Sequence, residues 1–137
     1  MFLERIKTSG IAHNAYLLGT GGIGILFDPR SDIEDYARLA RQRKCSIAYV
    51  FETHRQEDFV MGGASLRKLL GARLVGGKHD LFRHADIRLG DGEQIEIGDL
   101  VIRALSTPGH TPESMSYAVY RKQTPEQCWA VFSGDSL

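Results

Sequence analysis

Val50-Phe51-Glu52-Thr53-His54-Arg55-Gln56-Glu57-Asp58-Phe59 is the stretch whose reading decides the fold of this chain. It continues a nearly unbroken apolar run from Ile47 to Phe51, as a strand buried on both faces requires. That strand delivers His54 at its C-terminal end, where rigid scaffolds present chemistry on loops. Two other polar side chains have the same setting. His110 lies in Ser106-Thr107-Pro108-Gly109-His110-Thr111, and Asp135 closes Val131-Phe132-Ser133-Gly134-Asp135. Two neutral imidazoles and one carboxylate are the ligand set of a non-haem Fe(II) facial triad, and also of a minimal zinc site.

Upstream of that strand, residues 2–8, 12–18 and 22–28 read as consecutive short strands, with Gly19-Thr20-Gly21-Gly22 turning the chain between the last two. Ser31-Asp32-Ile33-Glu34 is a capping box, and Ile33, Tyr36, Ala37 and Ala40 form the apolar stripe of a helix running to about Lys44. Downstream, a second helix is expected over 60–70, with Leu66, Leu69 and Leu70 inward and Gly71 as its stop. A short strand follows at 72–75. Gly90-Asp91-Gly92 and Gly98-Asp99 signal hairpins, the second between Ile95-Glu96-Ile97 and Leu100-Val101-Ile102. Residues 114–120 and 128–132 complete the strands around a polar loop at 122–127. Many strands with two interspersed helices, and ligand candidates at strand ends, predict stacked sheets with helices outside and a site along one rim.

Composition narrows the function classes. At 137 residues the chain is expected to be one domain spanning 1–137, with 42% apolar and 25% charged residues, ordinary for a globular protein. Basic and acidic residues balance at 17 each, so no net field draws nucleic acid or an anionic membrane. No apolar run is long enough for a membrane span. Met1-Phe2-Leu3-Glu4-Arg5 lacks the apolar core of a secretory signal, and a cytoplasmic location is the expectation. Cys45 and Cys128 form no disulfide framework and match no metal spacing; both read as reduced core thiols.

Thr53-His54-Arg55-Gln56-Glu57-Asp58-Phe59 resembles the Thr-His-x-His-x-Asp-His signature of the metallo-β-lactamase superfamily, with two positions changed. Thr107-Pro108-Gly109-His110-Thr111-Pro112-Glu113-Ser114 and Phe132-Ser133-Gly134-Asp135-Ser136-Leu137 look like its next two motifs, in the same order and at similar spacing. The likeness runs from roughly Tyr16 to the last residue. Phe27-Asp28-Pro29-Arg30, Val50 to His54 and Ala130 to Asp135 suggest the persulfide dioxygenase branch, including its rhodanese-fused forms, with the glyoxalase II hydrolases as close relatives. The resemblance implies an α/β (α+β) fold, an αββα sandwich of which this chain supplies the N-terminal part with the second sheet incomplete. Such a part would expose an apolar face and a strand edge, so a homo-oligomer or a complementing chain is expected.

The departures from the signature are chemically specific. Dinuclear zinc hydrolases of this superfamily also use the second and third histidines of the first motif, and here those two positions are Gln56 and Phe59. A carboxamide is a weak donor and a phenyl ring has no lone pair to offer, so the second metal site is lost and Asp58 is left there without it. The resemblance to persulfide dioxygenases instead implies one Fe(2+), with Zn(2+) as the second choice, held by His54, His110 and Asp135. The implied substrate is a thiol or persulfide of glutathione type, oxidised at its outer sulfur to sulfite. Asp58 has two readings: a hydrogen-bond acceptor beside the metal ligands, or the N-cap of the helix starting near Val60. His79 and His84 are expected on a surface loop, and His13 in a structural role. Two other functions stand beside the oxygenase: a degenerate domain acting in assembly or regulation, and a mononuclear zinc thioester hydrolase.

Overall fold

Ile47, Tyr49, Val50 and Phe51, β-branched and aromatic residues, precede His54 and form a strand there. In the computed structural model, residues 1–7, 14–30, 33–54, 68, 70–79, 82, 84–109 and 112–134 are described. The chain divides into two compact units, Met1–Phe51 with Gln56–Leu74, and Glu52–Arg55 with Val75–Leu137.

In the first unit, β1 (Phe2–Lys7) and β2 (Asn14–Thr20) pair antiparallel, and β2 pairs antiparallel with β3 (Ile23–Phe27). The β2–β3 turn is Gly21-Gly22, with φ of 53° and 81°, a left-handed pair that a two-residue hairpin loop demands. After β3 the chain crosses through α1 (Ile33–Gln42) and returns as β4 (Ser46–Phe51), parallel to β3. A parallel return needs such a crossover, which the amphipathic stripe supplies: Tyr36 and Ala40 are both 3% exposed. Past the helix, Lys44 takes a left-handed φ of 57° and the Cys45 amide donates to the Ala40 carbonyl. Leu17, Leu18, Ile25, Leu26, Phe27, Val50 and Phe51 form the buried centre, and the Phe27 and Phe51 rings stack 5.1 Å apart. The second predicted helix lies mostly outside the described residues, although Lys68 and Leu70 have helical backbone and Gly71 follows with φ 69°.

In the second unit, Val75–Gly77, the end of β5 (Arg73–Gly77), pair in parallel with β6 (Ile87–Leu89). An antiparallel sheet holds β7 (Gln94–Ile97), β8 (Leu100–Ser106), β9 (Met115–Arg121) and β10 (Thr124–Phe132), in the order β10-β9-β8-β7. Its inward positions include Leu100, Ile102, Ala104, Tyr117 and Val119, all at 0% exposure. Gly98, at φ 57°, makes the expected β7–β8 hairpin. Two expectations change. Gly90-Asp91-Gly92 is not a hairpin turn, because β6 pairs with β5 and β7 with β8. The loop expected at 122–127 is mostly strand: β10 begins at Thr124 and tracks β9 through register shifts on either side of Cys128. Bulges absorb extra residues without a loop, so a polar run reads misleadingly.

Neither cysteine is in a disulfide, as expected, but only one is sheltered. Cys128 is exposed on the edge strand β10, contrary to a core placement; residues 125–129 all face solvent there. Burial pushes the Cys45 thiol up from its ordinary pKa, with the Arg43 charge opposing in part. A raised pKa leaves less thiolate at any given pH, and the thiolate is the nucleophile. A disulfide-exchange reagent at mildly alkaline pH is therefore expected to modify Cys128 first in the native protein. Equal rates at the two thiols, read by peptide mapping, would contradict this placement.

Candidate metal centre

β4 ends at Phe51, and the next three residues are all buried: Glu52 and Thr53 at 1% exposure and His54 at 2%. Burying three polar side chains in a row costs free energy unless each is held by a partner. The structure shows how they are held. The Glu52 amide donates to the Val75 carbonyl at 3.0 Å, and the Tyr117 hydroxyl donates to the Glu52 carbonyl at 2.9 Å. The Thr53 carbonyl accepts from the Met115 amide at 2.7 Å. The Thr53 hydroxyl lies 2.9 Å from His54 Nδ1.

That last contact orients the ring. A neutral imidazole that gives Nε2 to a metal carries its proton on Nδ1, and here Thr53 Oγ1 stands ready to accept it. With Nδ1 engaged by Thr53, Nε2 is the nitrogen a cation would take.

The other two motifs come to the same place by their flanks. The loop carrying His110 is closed at its base, where the Thr107 amide donates to the Ser114 carbonyl at 3.0 Å and the Thr107 and Ser116 hydroxyls lie 2.9 Å apart. Met115, the next residue, bonds Thr53. Gly134, beside Asp135, has φ 57°, and a Cβ built on it would overlap Thr53 Oγ1 and lie 3.2 Å from His54 Nδ1. Only a glycine allows the backbone so near this ring. His110, Asp135 and Asp58 themselves lie outside the described residues, as do Gln56 and Phe59. Among the described residues no group of three His, Cys, Asp or Glu side chains is placed to hold an ion.

Two residues of this neighbourhood are not apparent from the sequence. Glu52 was legible only as the end of an apolar run, and its burial was the available hint. His84, expected on a surface loop, is half-buried, with Nε2 2.6 Å from Glu52 Oε1. Nothing in the spacing of residues 32 apart announces that pair. Glu113, a little past His110, is a further buried carboxyl.

Comparison with known proteins places this arrangement. No protein-family model matches the chain. Hydroxyacylglutathione hydrolase of Pseudomonas paraeruginosa is 35% identical over 101 residues, which are 74% of this chain and 37% of that protein. A hydroxyacylglutathione hydrolase-like protein of Bos taurus is 36% identical over 96 residues, 70% of this chain and 49% of that protein. The chain thus spans half or less of the curated relatives it matches. Among solved structures, ETHE1 from Myxococcus xanthus superposes with a TM-score of 0.82 at 27% identity, covering 87% of this chain and 54% of that one. A metallo-β-lactamase from Staphylococcus aureus subsp. aureus COL gives 0.85 at 26% identity, covering 97% and 42%. With this mixed α/β fold, and with relatives alike in both sequence and structure, the chain belongs to the metallo-β-lactamase superfamily.

Proposed function

We propose that His54, His110 and Asp135 hold a single metal ion, iron before zinc, and that the protein acts on a glutathione persulfide as a sulfur dioxygenase. The observation that supports this reading is what meets at one buried imidazole: Thr53 bonds its Nδ1, Met115, past the His110 loop, bonds Thr53, and Gly134, the residue before Asp135, lies against Thr53 and the ring. Gln56 and Phe59 supply no second set of imidazoles, which argues against a two-metal hydrolytic clamp.

His54, His110 and Asp135 would hold the ion, and Fe(II) so held would supply open coordination positions for a sulfur ligand and for dioxygen. The chain's own residues supply orientation and dryness. Thr53 bonds Nδ1 of His54, and the near-complete burial of 52–54 excludes water from the ring. The net reaction consumes the persulfide, dioxygen and water, and yields the thiol, sulfite and protons. The substrate's glutathione part is supported by the hydroxyacylglutathione hydrolases among the relatives, whose name states a glutathione thioester.

Those same relatives favour one second reading, a mononuclear zinc hydrolase of such thioesters. One experiment separates the two. Protein loaded anaerobically with Fe(II) is expected to consume oxygen and release sulfite when given glutathione persulfide. Loading without oxygen uptake, together with thioester cleavage by the zinc form, would reverse the assignment.

A further inference from the structure

Glu52 is an acidic side chain at 1% exposure, two residues before the metal-facing histidine. A carboxylate so buried is costly unless a cation or a strong donor meets it. His84 does so, its Nε2 donating to Oε1 at 2.6 Å. The imidazole is presented from a fixed turn. The Phe82 amide bonds the His79 carbonyl at 2.9 Å, the Ala85 amide bonds the Phe82 carbonyl at 3.0 Å, and Arg88 reaches the His79 carbonyl at 3.1 Å. Phe82, fully buried, locks that turn onto β5: a Cβ on Gly76 would stand 2.8 Å from its ring, so the two surfaces have no spare room. The Phe82 and His84 rings are 6.3 Å apart.

We infer that His84 is a positioning residue of the metal centre. By anchoring the Glu52 carboxylate to the 79–85 turn, it fixes the Glu52-Thr53-His54 segment that aims His54. This rests on the reading of His54 as a metal ligand. The backbone of the segment is tied to Val75, Tyr117 and Met115, yet these bonds leave the Glu52 side chain to be held by something else. Without His84, a buried carboxylate seeks water, and the easiest way to reach it is to pull the strand end outward. His54, two residues further on, moves with it.

The test compares Fe(II) and Zn(II) dissociation constants, and the visible spectrum of the Co(II)-loaded protein, for wild type, His84→Ala, His84→Gln and the double variant Glu52→Gln/His84→Ala. Far-UV circular dichroism of each metal-free form reports folding. His84→Ala is expected to bind metal about 10–100-fold more weakly, the range seen when supporting partners of metal ligands are removed, with a changed Co(II) spectrum. His84→Gln, which keeps a donor within reach of the carboxylate, is expected to recover most of the affinity. A folded His84→Ala with wild-type affinity and spectrum would overturn the inference. Should His84→Ala fail to fold, the double variant decides in its place, since its neutral carboxamide is less costly to bury yet is still unanchored: weaker binding supports the role and unchanged binding ends it. A wild type that loads no metal would sink the metal-centre reading together with this one. A wild type that loads, beside a His84→Ala that loads equally, sinks this one alone.

Discussion

His54→Ala is expected to strip the protein of bound metal, weakening Fe(II) and Zn(II) by more than about 100-fold, since the loss of a ligand exceeds the 10–100-fold typical of its supports. The side chain is 2% exposed and its Nδ1 partner is the Thr53 hydroxyl, itself on a residue 1% exposed. Removing the ring therefore also removes a buried hydrogen bond, at a cost of about 0.5–1.5 kcal/mol of folding stability in the metal-free protein. The two losses are separable by measurement: titration calorimetry reads the metal, and thermal unfolding of the metal-free form reads the fold. Arg38→Ala serves as the contrast. That side chain is 60% exposed on α1, in an i,i+3 pair with Asp35, and its replacement is expected to leave metal affinity within about twofold, in keeping with an ordinary surface change. Equal metal binding by wild type and His54→Ala would place the ion elsewhere.

Gly134→Ala carries the second large effect, and it reaches the centre through the backbone. Alanine at φ 57° costs about 1–2 kcal/mol from its Cβ against its own carbonyl. The new methyl would also overlap Thr53 Oγ1, with Thr53 Cβ at 3.0 Å and His54 Nδ1 at 3.2 Å. These atoms belong to residues buried at 1% and 2%, not to the ends of flexible surface chains, so they cannot swing aside. The chain at 133–134 must back away, and on the reading of Asp135 as a ligand that shift disturbs the centre. The expected result is metal affinity lowered by about 10–100-fold, with a drop in thermal stability. Gly109, in the motif that carries His110, makes the matched control: nothing lies within 4 Å of a Cβ there, and its alanine variant is expected to bind metal as wild type does. Wild-type affinity in Gly134→Ala would break the link between the 133–135 segment and His54.

The parts of this fold that show in the sequence are those set by short-range physics. The Gly21-Gly22 turn, the amphipathic face of α1 with Tyr36 and Ala40, and the apolar run ending at His54 each follow from a pattern within about ten residues. β6 was missed because three residues, Ile87 to Leu89, carry no period of their own; they become a strand by pairing with β5. The start of β10 was missed because its bulged half is polar and solvent-facing, which looks like a loop. At the candidate centre, the histidine and the glycine were legible as motif members, but their reason for being neighbours was not. That Thr53 holds Nδ1, that Gly134 must lack a side chain, and that Glu52 meets His84 are facts of proximity between segments remote in sequence. No helix among the described residues is long and apolar enough to cross a membrane, consistent with the short apolar runs read from the sequence.

Anomalous scattering at the iron edge, from crystals of protein loaded anaerobically with Fe(II), tests the central claim most directly. One peak is expected, about 2.0–2.2 Å from His54 Nε2, from a ring nitrogen of His110 and from a carboxylate oxygen of Asp135, in keeping with ordinary metal–nitrogen and metal–oxygen lengths. Two peaks, a peak away from His54, or no peak in protein that keeps its fold would contradict it.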